Sequence, residues 1–235
     1  MADLHIHSAL SPCAQEEMSP PAIVEAAREA GLDLIAVCDH NSAANAAAVQ
    51  RAAGEWPHVI AGMEICSAEE VHVVALFADA TRAERAAAEV LETLPRGRAA
   101  PTSFGRQLLM DASGAVLGEE LRLLGTACAF DLKSTVQLIH RFNGLAIAAH
   151  VNRPSFSVFS QLGGFPSGAG FDAVELAAVR VDPPWQAEID GLDLPVLRSS
   201  DSHYLEQIGS FASELSMRCP SFEGLRELVC RQRGG

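Results

Sequence analysis

Short apolar runs alternate with helix-like stretches along most of this chain, and this alternation constrains its fold more than any other feature. The runs at 33–38 (DLIAVC) and 145–149 (LAIAA) contain almost no polar residue, which is typical of strands buried on both faces. The stretch Pro20–Ala30 follows Ser19, begins with two prolines and ends before Gly31, as a helix does. Such repeats predict an α/β fold with a parallel sheet covered by helices, and about seven of them favour a closed or nearly closed barrel.

The segment 96–130 interrupts this alternation. It begins with a stretch rich in Gly, Pro and Ala, and the runs Gln107–Met110 and Ala115–Gly118 then flank the turn-like residues 111–114, which predicts a hairpin. We interpret this segment as an insertion in the barrel, not as a second domain, and as a candidate lid over a site. The 235 residues then form a single domain, 1–235.

Composition narrows the class of protein. With 49% hydrophobic residues the chain is expected to be globular, and no apolar run approaches the roughly 18 residues that a membrane span needs. The first residues lack the positive and apolar regions of a signal peptide, and the six cysteines are scattered, as in reduced proteins. We therefore expect a cytoplasmic protein with no membrane partner.

The acidic balance of the chain bears on its partners. A formal net charge of −13 predicts a surface that repels duplex DNA, so we expect no duplex nucleic acid as a partner. An anionic small molecule stays compatible with this charge, because bound divalent cations can reverse the field locally.

The positions of the histidines give the strongest chemical signal. Six of the eight lie on or just after predicted strands: His5, His7, His40, His72, His150 and His203. In a parallel α/β barrel the carboxyl ends of the strands meet at one mouth, so one site can collect these side chains. The pattern predicts a metal site, with ordinary structural histidines as the alternative.

Spacing and residue type support a metal site. His5 and His7, like Asp201 and His203, are two residues apart, which on a strand places both side chains on one face about 6.5–7 Å apart. Glu64 closes another apolar run, where a carboxylate can bridge two ions. Mixed imidazole and carboxylate ligands suit Zn, Mn or Fe without choosing between them.

His72 departs from this rule because it begins its apolar run, at the opposite end from Phe77. A parallel strand would place it away from the mouth. We expect the segment between Glu64 and His72 to turn back over the mouth and bring both side chains to one site.

Two further residues are candidates for catalysis, Asp39 and Arg153. Adjacent strand residues face opposite ways, so we assign His40 to a metal and Asp39 to the orientation of an imidazole, with a turn or cap role as the alternative. Asp39 is also a candidate proton donor to the leaving group. Arg153 follows His150 by three residues and can grip a phosphate bidentately, unless it is a plain surface arginine.

Together these residues resemble those of the PHP (polymerase and histidinol phosphatase) superfamily, and most of all its stand-alone bacterial phosphoesterases. The resemblance rests on motifs in the family's order: D-L-H-I-H-S at 3–8, C-D-H-N at 38–41, G-M-E-I at 62–65, E-V-H at 70–72, A-A-H-V-N-R-P at 148–154 and S-S-D-S-H at 199–203. It implies a distorted (β/α)7 barrel with two or three divalent metal ions at the carboxyl ends of the strands.

The resemblance also implies a sharing of the ligands. One ion would take His5, His7, Glu64 and Asp201, a second His40 and Glu64, and a third His72, His150 and His203. One departure concerns the second ion, because Pro12 stands where relatives often carry Asp or His. Its neighbour Cys13 is a candidate thiolate ligand, with a plain thiol as the alternative.

Such a site suits the hydrolysis of small phosphate esters by a metal-activated water. Nucleotides, short oligonucleotides and phosphorylated metabolites all fit, so a small phosphorylated substrate is the expected partner. The chain has no G-x-S-x-G, P-loop or H-E-x-x-H motif. We interpret Trp185, Phe156 and Phe159 as packing residues, with base stacking as the alternative.

Three other functions stay open. A metal-dependent amidohydrolase also begins with His-x-His, but dinuclear members commonly bridge their metals with a carbamylated lysine, and Lys133, the only lysine, opens a predicted helix. A non-catalytic metal-binding or regulatory protein is favoured by Pro12. A nuclease acting on oligonucleotide ends would share the chemistry and differ in its pocket.

Overall fold

The computed structural model describes residues 1–97, 105–179 and 183–232. Its strands are β1 (Ala2–Ile6), β2 (Leu34–Val37), β3 (His58–Cys66), β4 (His72–Phe77), β5 (Leu108–Met110), β6 (Val116–Glu119), β7 (Leu145–Ala148), β8 (Ala173–Leu176) and β9 (Val196–Arg198). Its helices are α1 (Pro20–Glu29), α2 (Ala46–Ala53), α3 (Ala80–Leu91), α4 (Leu132–Arg141), α5 (Val158–Leu162), α6 (Pro183–Asp190) and α7 (Phe222–Gln232). Residues 98–104 of the expected insertion lie outside the described residues.

Helices α3 and α4 begin where a side chain satisfies an amide of the first turn. Asp79 accepts a hydrogen bond from the Arg82 amide at the start of α3, and Asp131 accepts one from the Ser134 amide at the start of α4. Each helix then packs an apolar face against the sheet. None of the described helices has the length and apolar character of a membrane span.

Seven of the described strands form one curved sheet in the order β1-β2-β3-β4-β7-β8-β9. Its two edges approach each other at the mouth, where Ile6 forms a parallel bridge with Ser202, just after β9. The His7 amide donates to the Ser202 carbonyl at 2.9 Å. The sheet is therefore a nearly closed barrel, and the predicted distorted (β/α)7 fold is confirmed.

Strand β4 runs antiparallel to both of its neighbours, so the expectation of an all-parallel sheet was wrong at this strand. The five residues between β3 and β4 form a tight turn, in which the Ser67 amide donates to the Val71 carbonyl at 2.9 Å. So short a connection can only join antiparallel strands. It places His72 opposite Cys66 in register, at the mouth where β3 ends.

The barrel interior is filled by apolar side chains. One buried cluster joins residues of β1, β2, β3, β4, β7 and α7: Leu4, Leu34, Ile60, Val74, Ile147 and Leu225. The start of α7 borders the beginning of β3 and the residues just after β4, because Phe222, His58 and Asp79 line one surface depression. Helix α7 thus lies at the end of the barrel where β3 begins, whereas Glu64 lies near the opposite end, where β3 ends.

The described part of the insertion is a hairpin of β5 and β6, as predicted. It rests on the loop that follows β1, since the Leu108 amide donates to the Ala9 carbonyl at 2.9 Å. The Asn45 amide group donates to the Leu108 carbonyl at 2.9 Å. The hairpin therefore supports the loop after β1, which carries residues of the site.

Candidate metal centre

Glu64, near the end of β3, is the hub of the polar cluster at the barrel mouth. Its carboxylate is buried, and five imidazoles place a ring nitrogen within 3.6 Å of one of its oxygens: His72 (2.8 Å), His40 (2.8 Å), His150 (3.0 Å), His5 (3.5 Å) and His7 (3.6 Å). His5 lies on β1 and His72 on β4, and the other three histidines follow β1, β2 and β7. Scattered positions in the sequence thus meet at one carboxylate.

The charge of Glu64 depends on this surrounding. Burial alone would raise the pKa of the carboxyl, but the imidazoles of His72, His5 and His40 hold that pKa well below its usual range. Glu64 is therefore an anion at neutral pH. A buried anion ringed by nitrogen ligands is suited to bridging two cations.

His5, His7 and Asp201 form a second group beside Glu64. The Nε2 atoms of the two histidines lie 3.2 Å apart, and Asp201 Oδ1 lies 3.0 Å from the Nε2 of His7 and 3.5 Å from that of His5. His5 on β1 and His7 just after this strand thus bring both imidazoles to one point. Burial raises the pKa of Asp201, but nearby His5 and His7 hold it far below its usual range.

Glu175 on β8 is a site residue that the sequence analysis did not identify. It is buried, and its two carboxylate oxygens lie 3.0 and 3.2 Å from Nδ1 of His5. It also accepts a hydrogen bond from the His150 amide at 3.1 Å. A carboxylate on Nδ1 leaves Nε2 of His5 facing the centre. The signal in the sequence was one charged residue inside the apolar strand 173–176 (AVEL).

We expect Glu175→Ala to weaken the binding of divalent metal by about tenfold to a hundredfold, because His5 loses the partner that fixes its ring. A competition titration with a chromophoric chelator measures this. Glu84→Ala, which removes an exposed carboxylate on α3, is the matched control and should bind metal like the unaltered protein. Equal affinity in both variants would contradict the orienting role.

Asp39 lies beneath the cluster and not on the wall of the cleft. Its buried carboxylate accepts hydrogen bonds from the Ser8 amide (2.7 Å), the Ser8 hydroxyl (2.6 Å) and the Ser11 hydroxyl (2.7 Å). Because the Ser11 hydroxyl gives its proton to Asp39, it accepts from Nδ1 of His7, which lies 2.8 Å away. Nε2 of His7 is then left as the ligand atom. We therefore assign Asp39 to the orientation of His7 through Ser11, and not to protonation of a leaving group.

His203 lies in a different group from the one that the resemblance implied. Its ring stacks on His7 with centroids 4.2 Å apart, and together with His40 these residues form a cluster of ring nitrogens within 4.8 Å of one another. His203 nevertheless lines the same cleft as His72 and His150.

The side chain of Cys13, the residue after Pro12, contacts the group formed by His7, His40 and His203. Its Sγ lies 3.1 Å from Nε2 of His40. Burial raises the pKa of the thiol, but hydrogen bonds with His203 and His40 outweigh this effect and lower the pKa to about 7. A thiolate ligand at Cys13 stays a prediction.

An open cleft of about 230 Å³ leads to the cluster. It is lined by His40, Glu64, His72, His150, Arg153, Ser155, Phe156, Asp201 and His203. Arg153 Nη1 lies 2.5 Å from Asp201 Oδ2, and about a third of the arginine side chain is exposed. The guanidinium is therefore at the rim of the cleft, within reach of both a ligand carboxylate and an entering anion.

The donor set fits divalent metal ions. Glu64 Oε2 and His150 Nδ1 are buried without a hydrogen-bond partner among the described residues, although His40 Nδ1 lies close to the former. Two groups can hold an ion around the shared Glu64, one with His5 and His7 and one with His40 and His72. Imidazole nitrogens and carboxylate oxygens at this spacing suit Zn, Mn or Fe.

Solved structures share this architecture at low sequence identity. The lesion-specific endonuclease Endonuclease Q from Pyrococcus furiosus matches 100% of this chain with a TM-score of 0.75 and 17% identity. An Endonuclease Q complex with a 27-mer duplex that carries an abasic lesion at the active site matches 98% of it, with a TM-score of 0.71 and 17% identity. A candidate metal-dependent phosphoesterase from Bifidobacterium adolescentis matches 98% of this chain and 96% of its own, with a TM-score of 0.63 and 18% identity.

The chain has the PHP-type fold. It spans just over half, 56%, of each Endonuclease Q chain. No family model matches the sequence, and no curated protein matches it either. At these identities the likeness establishes the fold.

The expectation that excluded duplex nucleic acid as a partner is corrected by this comparison. Endonuclease Q, with the same PHP-type fold, holds a 27-mer duplex with the abasic lesion at its active site. The argument from the net charge of −13 is insufficient because a formal total does not describe the field inside one cleft, where Arg153 is positive and bound cations would add further positive charge.

Proposed function

We propose that this chain is a metal-dependent phosphoesterase that hydrolyses a phosphate ester bond of a nucleic acid. The proposal rests on one observation above all. Glu64 is a buried anion contacted by five imidazoles, next to Asp201 and at the base of an open cleft whose rim carries Arg153. The shared fold of an endonuclease and a candidate phosphoesterase supports this reading.

Divalent cations held between Glu64 and the imidazoles would polarise the phosphoryl group and lower the pKa of a water molecule. The residues that would hold them are His5, His7, His40, Glu64, His72, His150, Asp201 and His203. Glu175, and Asp39 through Ser11, would keep His5 and His7 in the tautomer whose Nε2 is free to bind a cation.

Arg153 is suited to binding the phosphate. Its guanidinium pairs with Asp201 at 2.5 Å, and the same fork of N–H groups can hold two phosphoryl oxygens. With Asp201 serving as a metal ligand, Arg153 would be free to turn toward the cleft. The arginine would then position the ester for attack and neutralise part of its charge.

Amide hydrolysis is less well supported. Lys133 lies in the first turn of α4 with its side chain exposed, and the cleft lining does not include it. In the proposed centre Glu64 would take the bridging position that a carbamylated lysine takes in dinuclear amidohydrolases. No modified lysine would then be needed.

The test is a reconstitution. The protein is stripped with a chelator, reloaded with Mn²⁺, Zn²⁺ or Fe²⁺, and assayed on single-stranded DNA, on duplex DNA with and without an abasic site, on nucleoside monophosphates and on N-acyl amides. We expect cleavage of DNA that requires metal and is lost again on chelation. Stoichiometric metal without turnover of any ester would favour a non-catalytic role, and turnover of amides alone would favour the amidohydrolase.

A further inference from the structure

One exposed aromatic side chain faces the cleft. Phe156 lines it and keeps 41% of its surface exposed. The other two aromatic residues considered for base stacking are packed away, since Phe159 is 1% exposed and Trp185 stacks on it with centroids 5.6 Å apart. Of these three aromatic residues, Phe156 is therefore the one that lines the cleft with its ring exposed.

The ring of Phe156 is held in a fixed place. It stacks on the imidazole of His72 with centroids 4.7 Å apart and an angle of 21° between the planes. Its carbonyl accepts a hydrogen bond from the His72 amide at 2.9 Å. The backbone has a φ of 56°, which bulky residues rarely adopt and which persists only where the surroundings impose it.

The residues next to Phe156 are also anchored. The Ser157 hydroxyl donates to the Arg153 carbonyl at 2.7 Å, and Ser157 and Ser160 form a capping box at the start of α5. The loop therefore presents Arg153 and Phe156 from one rigid frame. A group that grips phosphate and an open aromatic face are fixed beside the same carboxylate cluster.

This arrangement matches the chemistry of a nucleotide. One face of the phenyl ring is covered by His72, and the remaining surface is open to the cleft. A flat aromatic face binds any base by stacking, because every base has a π-face. An unpaired or flipped base can reach such a face, whereas a base inside a duplex stack cannot.

We propose that Phe156 is a stacking platform for one unpaired base next to the scissile phosphate, so that the substrate is single-stranded or locally opened nucleic acid. This proposal rests on the proposed phosphoesterase function and adds the part of the substrate that the protein recognises, an unpaired base. Phe156 determines specificity through binding and takes no part in the chemical step.

The test compares two probes on the metal-loaded full chain: a short single-stranded DNA oligonucleotide, and an otherwise identical oligonucleotide whose bases are replaced by abasic sugars. We expect a KM for the base-containing probe roughly tenfold to a hundredfold lower than for the abasic one. Phe156→Leu should reduce that ratio to within about threefold, mainly through KM, and Phe156→Trp should keep it. Trp56→Leu, an equally exposed aromatic remote from the cleft, should also keep it.

A second readout does not need turnover. A single-stranded oligonucleotide that contains 2-aminopurine is titrated with the protein, and stacking is read from the quenching of its fluorescence. We expect quenching with the unaltered protein and with Phe156→Trp, and little with Phe156→Leu.

The outcomes separate the two proposals. A similar loss on both oligonucleotides with Phe156→Leu, or unchanged quenching, would show that Phe156 only supports His72 and would overturn the stacking proposal while leaving the phosphoesterase intact. If the metal-loaded protein cleaves neither probe, the proposed cleavage of nucleic acid fails, and the fluorescence titration still decides whether a base stacks.

Discussion

Glu64→Gln is expected to lower kcat/KM for phosphate-ester cleavage by on the order of a thousandfold or more, because it removes the carboxylate that the five imidazoles share. The amide is nearly the same size, so the packing at the end of β3 should survive. Initial-rate assays at saturating metal, together with metal content by mass spectrometry, measure the effect. We expect the variant to hold fewer ions per chain than the unaltered protein.

The control for this prediction is Glu70→Gln, which changes an exposed carboxylate in the turn before β4. It should keep full activity and metal content. A thermal scan adds an independent readout, since metal at about 100 times its dissociation constant should stabilise the unaltered protein by about 2.7 kcal/mol and Glu64→Gln much less. A Glu64→Gln protein with normal metal content and rate would contradict the bridging role.

Asp39→Ala is expected to destabilise the protein by about 3 kcal/mol, because three donors from Ser8 and Ser11 would be left buried without an acceptor. Burial raises the pKa of this carboxyl, and the hydrogen bonds from Ser8 and Ser11 lower it by less. Chemical denaturation followed by circular dichroism measures the change. Asp193→Ala, at an exposed aspartate, should alter the free energy of unfolding by less than about 0.5 kcal/mol.

The same variant separates the two roles of Asp39 considered from the sequence. If Asp39 orients His7, the loss of activity, about tenfold to a hundredfold, should be equal for esters with poor and good leaving groups. If Asp39 protonates the leaving oxygen, an ester with a p-nitrophenolate leaving group should be spared. A leaving-group-dependent loss would therefore contradict our assignment.

The apolar runs and the polar residues that close them were sufficient to predict the barrel and the gathering of imidazoles at its mouth. That inference depends only on the period of a strand and on the common end of parallel strands. The direction of β4 was also open to this inference, because the five residues between β3 and β4 are too few for a crossover to a parallel strand.

Contacts between side chains from distant strands could not be predicted from the sequence. Glu175 lies 170 residues from His5, and nothing local indicates that these two side chains meet. The role of Asp39 depends on Ser11, which is likewise distant in the chain. Exposure also separates Phe156 from Phe159, two identical side chains three residues apart whose positions in the pattern do not reveal which one faces the cleft.

The most direct test of the central claim is an anomalous diffraction measurement on crystals of the protein soaked with Zn²⁺. We predict at least one strong peak about 2.0–2.2 Å from a carboxylate oxygen of Glu64 and from the ring nitrogens of its neighbouring histidines. A map with no peak at Glu64, with the imidazoles bonded only to protein groups, would contradict the account.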